Sequence, residues 1–171
     1  MNPKFFIFLD IDGVMYDWKY LLGNNIKNNG IITTFNPASI NALNSLIAHL
    51  SKNYTPILVI SSTWRRDMMF TVSTLRKNGL KTNLRHIFET PILDNPSKRG
   101  QEILKYLSCQ RDKENYVIID DEMVDFREHF DLKRIIKTDM FNGGLDLNKV
   151  NKFLQDNNLG YIPNNDAEKT D

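Results

Sequence analysis

Continuous apolar runs that alternate with amphipathic helix patterns predict an α/β fold, a Rossmann-like three-layer sandwich with a central, mostly parallel sheet. The runs show no polar alternation, as expected of strands that are buried on both faces of a parallel sheet. The helix patterns between them supply the two outer layers. The 171 residues contain no internal repeat and no Pro/Gly/Ser-rich linker, which favours a single domain.

Five stretches are candidates for the strands of this sheet. Lys4–Leu9 (KFFIFL), residues 57–60 (ILVI) and residues 116–119 (YVII) are the most apolar. Residues 134–136 (RII) and 86–88 (HIF) are weaker candidates. Five short strands are enough for the sheet of one domain.

Helix patterns fill the intervals. Asn36 is a typical N-cap with proline after it, and an apolar stripe follows for about four turns. A second stripe covers residues 68–75, with Gly79 as a stop signal. Ser97 is the predicted cap of a third helix, and residues 147–158 form the last one.

The segment 14–35 interrupts the alternation, because its centre, GNNIKNNG, has turn chemistry and little apolar periodicity. We predict a short flap or hairpin beside the first strand, too short for a large cap domain. Residues 164–171 (NNDAEKTD) are polar enough for a disordered tail. The domain is therefore expected to span residues 1–163.

Composition excludes several classes of function. The 22 Lys+Arg and 21 Asp+Glu leave a net charge of +1, so no global field attracts polyanions. Cys109 is the single cysteine, which is typical of a reducing compartment, and the three histidines lack the spacing of zinc ligands. No apolar run approaches the ~20 residues of a membrane span, so the sequence predicts a cytoplasmic protein with no membrane partner.

Polar side chains follow three of the predicted strands. In open α/β sheets ligands bind at the carboxyl ends of the strands, so these side chains are expected to meet at one rim. They are Asp10 and Asp12 after the first strand, Ser61 and Ser62 after the second, and Asp120 and Asp121 after residues 116–119.

Clustered carboxylates need a counter-charge, because like charges raise one another's pKa. Mg²⁺ prefers oxygen ligands and commonly binds beside a substrate phosphate, so the pattern indicates Mg²⁺ and phosphoryl chemistry. A spacing of two places Asp10 and Asp12 on the same face of a strand, and Gly13 then permits the backbone to bend.

In order and spacing, the motifs DIDGV, ISST, a cation at a helix start and IIDDEMVD resemble the four-motif pattern of the haloacid dehalogenase (HAD) superfamily, from residue 4 to about 150. LDIDGV, SSTWR, RGQEI, YVIIDD and TDMFNGGL are most similar to the small HAD domains associated with nucleic-acid repair proteins. The resemblance implies a Mg²⁺-dependent phosphomonoester hydrolase with an aspartyl-phosphate intermediate. Its substrate would be a polynucleotide terminal phosphate or a nucleotide.

The resemblance also implies roles for individual residues. Asp10 would be the nucleophile, and Asp12 the general acid and base. Ser61, with Ser62 as the alternative, would bind the transferring phosphoryl group. Mg²⁺ would be held by the Asp10 carboxylate, the Asp12 main-chain carbonyl and Asp121.

The cation of the site is either Lys98 or Arg99, because the stretch SKRG offers both. A family lysine at a capped helix start fits Lys98, whereas the repair-type pattern aligns Arg99, and the sequence narrowly favours Lys98. Asp120 and Asp125 complete the acidic motif, with Asp120 as a supporting partner of the cation or the metal.

Plainer interpretations stay open for several of these residues. Aspartates are common in turns, and Ser-Ser-Thr is a good N-cap cluster. Lys98 and Arg99 are each also compatible with a solvated surface charge. Two interpretations are open for Trp64 and Arg65. In one, Trp64 stacks on a base and Arg65 binds a phosphate; in the other, Trp64 packs at a helix start and Arg65 faces solvent. Asp17 fits a turn better than it fits catalysis.

Two further classes of function remain as alternatives. One is a non-catalytic HAD-like binding or regulatory module, which the complete set of Asp10, Asp12, Ser61 and Asp121 disfavours. The other is a phosphoprotein phosphatase or a phosphotransferase with an acceptor other than water. No P-loop motif is present, so a fused kinase activity is not expected.

Overall fold

The computed structural model describes residues 2–26, 30, 32–93 and 99–163. In this part of the chain the strands form one all-parallel sheet, which confirms the predicted α/β architecture. The strand order is β3-β2-β1-β4-β5, so the first strand lies at the centre. The strands are β1 (Lys4–Leu9), β2 (Thr55–Ile60), β3 (Ile87–Glu89), β4 (Tyr116–Asp120) and β5 (Ile135–Lys137).

Side chains of β1 alternate between two apolar clusters, one on each face of the sheet. Phe5, Ile7 and Leu9 belong to the larger cluster, whereas Phe6 and Phe8 belong to the smaller one. Because both faces of β1 are covered, its apolar run has no polar interruption. The result is the predicted three-layer arrangement.

Five α-helices occur in the described residues. The cap predicted at Asn36 is confirmed, since its side chain accepts a hydrogen bond from the Ala38 N–H at 3.0 Å. Helices α2, α3 and α5 contribute to the larger cluster, and α4 covers the opposite face. Their bounds are α1 (Trp18–Gly23), α2 (Pro37–Leu50), α3 (Met68–Lys77), α4 (Arg99–Ser108) and α5 (Leu147–Asp156).

The two edge strands begin one residue later than predicted. In both cases a 3₁₀ turn ends on the residue that was predicted to open the strand. Leu84–His86 precedes β3, and Leu132–Arg134 precedes β5. These short edge strands carry too few apolar residues for their boundaries to be read from sequence.

The segment after β1 contains a helix that the sequence did not predict. Asp17 caps α1 by accepting from the Tyr20 N–H at 2.9 Å, and Leu21 is buried in the core. The flap prediction also covers residues 27–29 and 31, which lie outside the described residues. The cap at Ser97 and the tail 164–171 lie outside them as well.

None of the helices in the described ranges has both the length and the apolar character that crossing a membrane would require.

Candidate active site

The carboxyl ends of β2, β1 and β4 lie side by side, because β1 pairs with both neighbours. Main-chain pairing continues one residue beyond the strands: the Asp10 N–H donates to the Ile119 carbonyl, and the Ser61 N–H donates to the Leu9 carbonyl, each at 3.0 Å. The polar residues that follow the strands are therefore held by the sheet itself. This confirms the expected common rim.

Three carboxylates come together at this rim. Asp10, Asp120 and Asp121 each offer an oxygen atom, and these atoms all lie within 4.8 Å of one another. Burial, together with the charge of Asp120, raises the pKa of Asp10 to about 8. Burial also raises the pKa of Asp120 to about 6, and that of Asp121 above its ordinary value. The cluster therefore favours a nearby positive charge.

Arg99, the first residue of α4, supplies one such charge. Its Nη1 lies 2.6 Å from Asp120 Oδ2 and 3.2 Å from Asp10 Oδ1. Burial lowers the pKa of Arg99, but the charges of Asp10 and Asp120 outweigh that effect and raise it. Lys98, the cation that the sequence narrowly favoured, lies outside the described residues.

The close approach of α4 to the acidic loop depends on Gly100. A Cβ atom at this position would lie 2.4 Å from the Asp125 carbonyl oxygen. Asp125 therefore contacts the start of α4 through its main chain, and its carboxylate makes no hydrogen bond or ion pair with other described residues. Asp120 Oδ1 accepts from the Glu122 N–H at 2.9 Å, and the chain then continues into turns.

The carboxylate cluster fits a hard divalent cation, since its donors are all oxygen atoms and their charges are only partly balanced by Arg99. Asp10 and Asp121 belong to both the predicted metal set and the observed cluster. Asp120 joins them in the structure, although the sequence assigned it a supporting role. The Asp12 carboxylate is not part of the cluster.

Gly13 brings the β1 loop against the cluster. Its φ is +69°, and a Cβ atom there would lie 2.3 Å from Asp121 Oδ2. A side chain at this position would both strain the backbone and displace the Asp121 carboxylate.

We expect Gly13→Ala to weaken Mg²⁺ binding by about tenfold or more, measured by isothermal titration calorimetry, and to lower the melting temperature. Gly23→Ala is the matched control, because a Cβ at Gly23 would meet nothing within 4 Å. Unchanged Mg²⁺ affinity in Gly13→Ala would show that Mg²⁺ binding does not require the present position of the Asp121 carboxylate.

The Asp12 side chain is held by aromatic residues. Its Oδ1 accepts hydrogen bonds from the Trp64 indole N–H, at 3.1 Å, and from the Tyr16 hydroxyl. Burial and the hydrogen bond to Asp12 raise the pKa of Tyr16 far above its ordinary value, so the hydroxyl keeps its proton. Trp64 thus packs at the helix start, as one of its two interpretations proposed, and also contacts a predicted catalytic residue.

Ser61 and Ser62 are both buried beside Asp10. The Ser62 hydroxyl accepts from the Trp64 N–H at 3.4 Å, and its proximity to the Asp10 carboxylate lowers the pKa of Asp10. Ser61 Oγ has no hydrogen-bond partner among the described residues. A buried hydroxyl without a partner is costly, so this group is available to a ligand oxygen.

Arg65 supports the site from beneath the rim. Its guanidinium donates to the main-chain carbonyls of Ser61 and Ser62, at 2.6 and 3.1 Å, and pairs with Glu102 at 2.6 Å. The Arg65 and Glu102 side chains are both almost fully buried, so the solvent-facing interpretation is wrong. Arg65 joins the loop after β2 to α4, the helix that carries Arg99.

Asp17 is buried and structural. In addition to capping α1, its Oδ2 accepts from the Gly144 N–H at 3.1 Å. It therefore joins the loop after β1 to the loop after β5, in agreement with the turn role that the sequence favoured.

Sequence reasoning missed several polar groups near the carboxyl ends of the strands. No sequence pattern identifies Tyr16 or Glu102. Tyr16 contacts Asp12 within the turn after β1, and the partner of Glu102 is Arg65, which is distant along the chain. Thr90 and Thr138 follow β3 and β5 directly, and both have buried hydroxyls without hydrogen-bond partners among the described residues. The rule that identified Asp10 would have found them had the ends of the edge strands been placed correctly.

A comparison with protein families identifies a match over most of the chain. Residues 6–150 match the model of a family described as the HAD domain in Swiss Army Knife RNA repair proteins. The matched range contains all of the site residues described above. Comparisons with curated proteins and with solved structures found no match.

Proposed function

Because the chain belongs to the family of HAD domains found in Swiss Army Knife RNA repair proteins, we propose that it is a Mg²⁺-dependent phosphatase that acts through an aspartyl-phosphate on Asp10. One observation carries the proposal. The buried Asp10 carboxylate lies within a cluster of oxygen ligands and 3.2 Å from the Arg99 guanidinium. This is the environment that a phosphoryl group and its charge need.

In the first step, a carboxylate oxygen of Asp10 forms a bond to phosphorus as the ester P–O bond breaks. Asp12 donates a proton to the oxygen that leaves. The Ser61 hydroxyl donates to a phosphoryl oxygen, and Arg99 balances the negative charge beside Asp10. In the second step Asp12 takes a proton from water, the water oxygen bonds to phosphorus, and the bond to Asp10 breaks.

A bound Mg²⁺, held by Asp10 and Asp121 with Asp120 beside them, would supply the positive charge that neutralises the phosphoryl oxygens. A cation bound at the cluster would favour the charged form of Asp10. Asp10 would therefore act as an ionised nucleophile despite its raised pKa.

We further propose that the substrate is a phosphate at the end of a polynucleotide. Two facts support this. The family description refers to RNA repair, and the segment after β1 contains only a six-residue helix in its described part rather than a cap domain. A rim without a large cap leaves space for a macromolecular end.

The test is a comparison of 3′- and 5′-phosphorylated oligonucleotides, free nucleotides and a phosphopeptide, each with Mg²⁺ and with EDTA. We expect Mg²⁺-dependent release of phosphate, with the highest kcat/KM for one of the oligonucleotides. A preference for the phosphopeptide would contradict the substrate proposal. Activity no higher than that of Asp10→Asn on all substrates would contradict the phosphatase proposal and favour a binding module.

A further inference from the structure

We propose that Trp64 is a positioning residue for proton transfer: its indole N–H fixes Asp12 Oδ1 as a hydrogen-bond acceptor, so that Oδ2 is the oxygen that exchanges protons with the substrate. The inference rests on the proposed function and assigns a role to a residue outside the predicted catalytic set. Trp64 and Asp12 are 52 positions apart in the chain, so only the fold brings them together.

The two hydrogen bonds to Asp12 differ in what they imply about which of its oxygen atoms carries the proton. The Trp64 N–H, 3.1 Å from Oδ1, can only donate, whereas the Tyr16 hydroxyl on the same oxygen could also accept. Because an indole N–H always needs an acceptor, Oδ1 is favoured as the unprotonated oxygen. The acidic proton of Asp12 is then placed on Oδ2.

Trp64 is itself held firmly. Its ring lies 5.8 Å from that of Phe35 and 5.7 Å from that of Phe70, and Tyr16 stacks on Phe35 at 6.2 Å. The Trp64 carbonyl accepts from the Thr71 hydroxyl at 2.7 Å. Ring and backbone are both restrained, so the direction of the N–H is restrained too.

Loss of this alignment has an effect that depends on the leaving group. In the first step the ester P–O bond breaks and the leaving oxygen takes its proton from Asp12. An alkoxide leaves poorly without that proton, whereas 4-nitrophenolate leaves without help. Because kcat/KM reports events up to the first irreversible step, it separates the two cases.

The experiment measures Trp64→Phe, which removes the N–H and keeps an aromatic ring, on β-glycerol phosphate and 4-nitrophenyl phosphate with Mg²⁺. We expect kcat/KM to fall about tenfold or more for β-glycerol phosphate and to change less than about twofold for 4-nitrophenyl phosphate. We also expect a burst of 4-nitrophenolate before a slower steady state, since hydrolysis of the intermediate also needs Asp12.

Two further variants make the result specific. Tyr16→Phe removes the second donor and leaves the indole N–H on Oδ1, so its loss on β-glycerol phosphate is expected to be smaller than that of Trp64→Phe. Trp18→Phe makes the same change at the other tryptophan, which makes no hydrogen bond to Asp12, and both substrates should retain their kcat/KM within about twofold. Melting temperature and Mg²⁺ affinity, measured on each variant, report any general damage.

An equal loss on both substrates, or no loss on either, in Trp64→Phe would overturn the positioning role while leaving the phosphatase proposal intact. A wild-type protein no more active than Asp10→Asn on any substrate would overturn the proposed function and this inference with it.

Discussion

Replacement of Asp10 by asparagine is expected to reduce phosphate release by about 1,000-fold or more, because it removes the nucleophile while preserving the size of the side chain. The measurement is steady-state hydrolysis with Mg²⁺ on the best substrate of the screen. Asp17→Asn is the matched control, because it makes the same substitution outside the carboxylate cluster. Asp17 caps α1 and accepts from the Gly144 N–H. Retention of more than about a tenth of the activity in Asp10→Asn would contradict the assignment of the nucleophile.

The same substitution is expected to stabilise the metal-free protein at alkaline pH. The pKa of Asp10 is about 8 in the folded protein, against 3.8 for an unperturbed carboxyl, chiefly because the group is buried. The unfolded chain releases this proton near pH 4 and the folded protein releases it near pH 8, so the free energy of unfolding falls as pH rises through that window. Asparagine has no proton to lose and avoids this fall.

Thermal unfolding of both proteins in EDTA at pH 5 and pH 8 checks this expectation. The difference in melting temperature should favour Asp10→Asn and should be larger at pH 8. Addition of Mg²⁺ at pH 8 should stabilise the wild-type protein more than the variant. A wild-type protein that gains stability relative to the variant between pH 5 and pH 8 would contradict the sign of the pKa shift.

Arg99→Ala is expected to have the second largest effect. It leaves the buried carboxylates of Asp10 and Asp120 without their partner. We expect the free energy of unfolding to fall by roughly 3 kcal/mol. This is the lower end for a broken buried pair, because both carboxylates can take up protons. We expect activity to fall by about 100-fold or more, since one guanidinium balances both carboxylates.

Lys98→Ala is the matched control for this prediction, because the sequence offers both cations at adjacent positions. Its activity is expected to stay within about threefold of the wild type, since Arg99 already contacts both carboxylates. The readouts are kcat/KM and the free energy of unfolding in urea. A large loss in Lys98→Ala with little change in Arg99→Ala would reverse the assignment.

The sequence predicted the rim of the site because one physical rule governs it. Parallel strands end at the same edge of a sheet, so the residues after each apolar run must meet there. Asp10 and Ser61 follow β1 and β2 directly, and Asp120 is the last residue of β4; the apolar runs of these three strands are unbroken. The edge strands lacked such runs, which is why Thr90 and Thr138 were missed.

Other features depend on contacts that no local pattern contains. The contacts of Arg99 with Asp10 and Asp120 depend on the close approach of Gly100 to the Asp125 carbonyl. The link from Arg65 to Glu102 spans 37 positions. Helix α1 was missed because it is only six residues long and lies in a turn-rich segment.

The most direct test of the account is to trap the intermediate. The wild-type protein is mixed with Mg²⁺ and its best substrate, quenched during turnover and reduced with borohydride, which converts an aspartyl-phosphate into homoserine. Mass spectrometry of the peptides should place homoserine at position 10 alone, and Asp10→Asn should yield none. Hydrolysis without any homoserine, or homoserine at another aspartate, would contradict nucleophilic attack by Asp10.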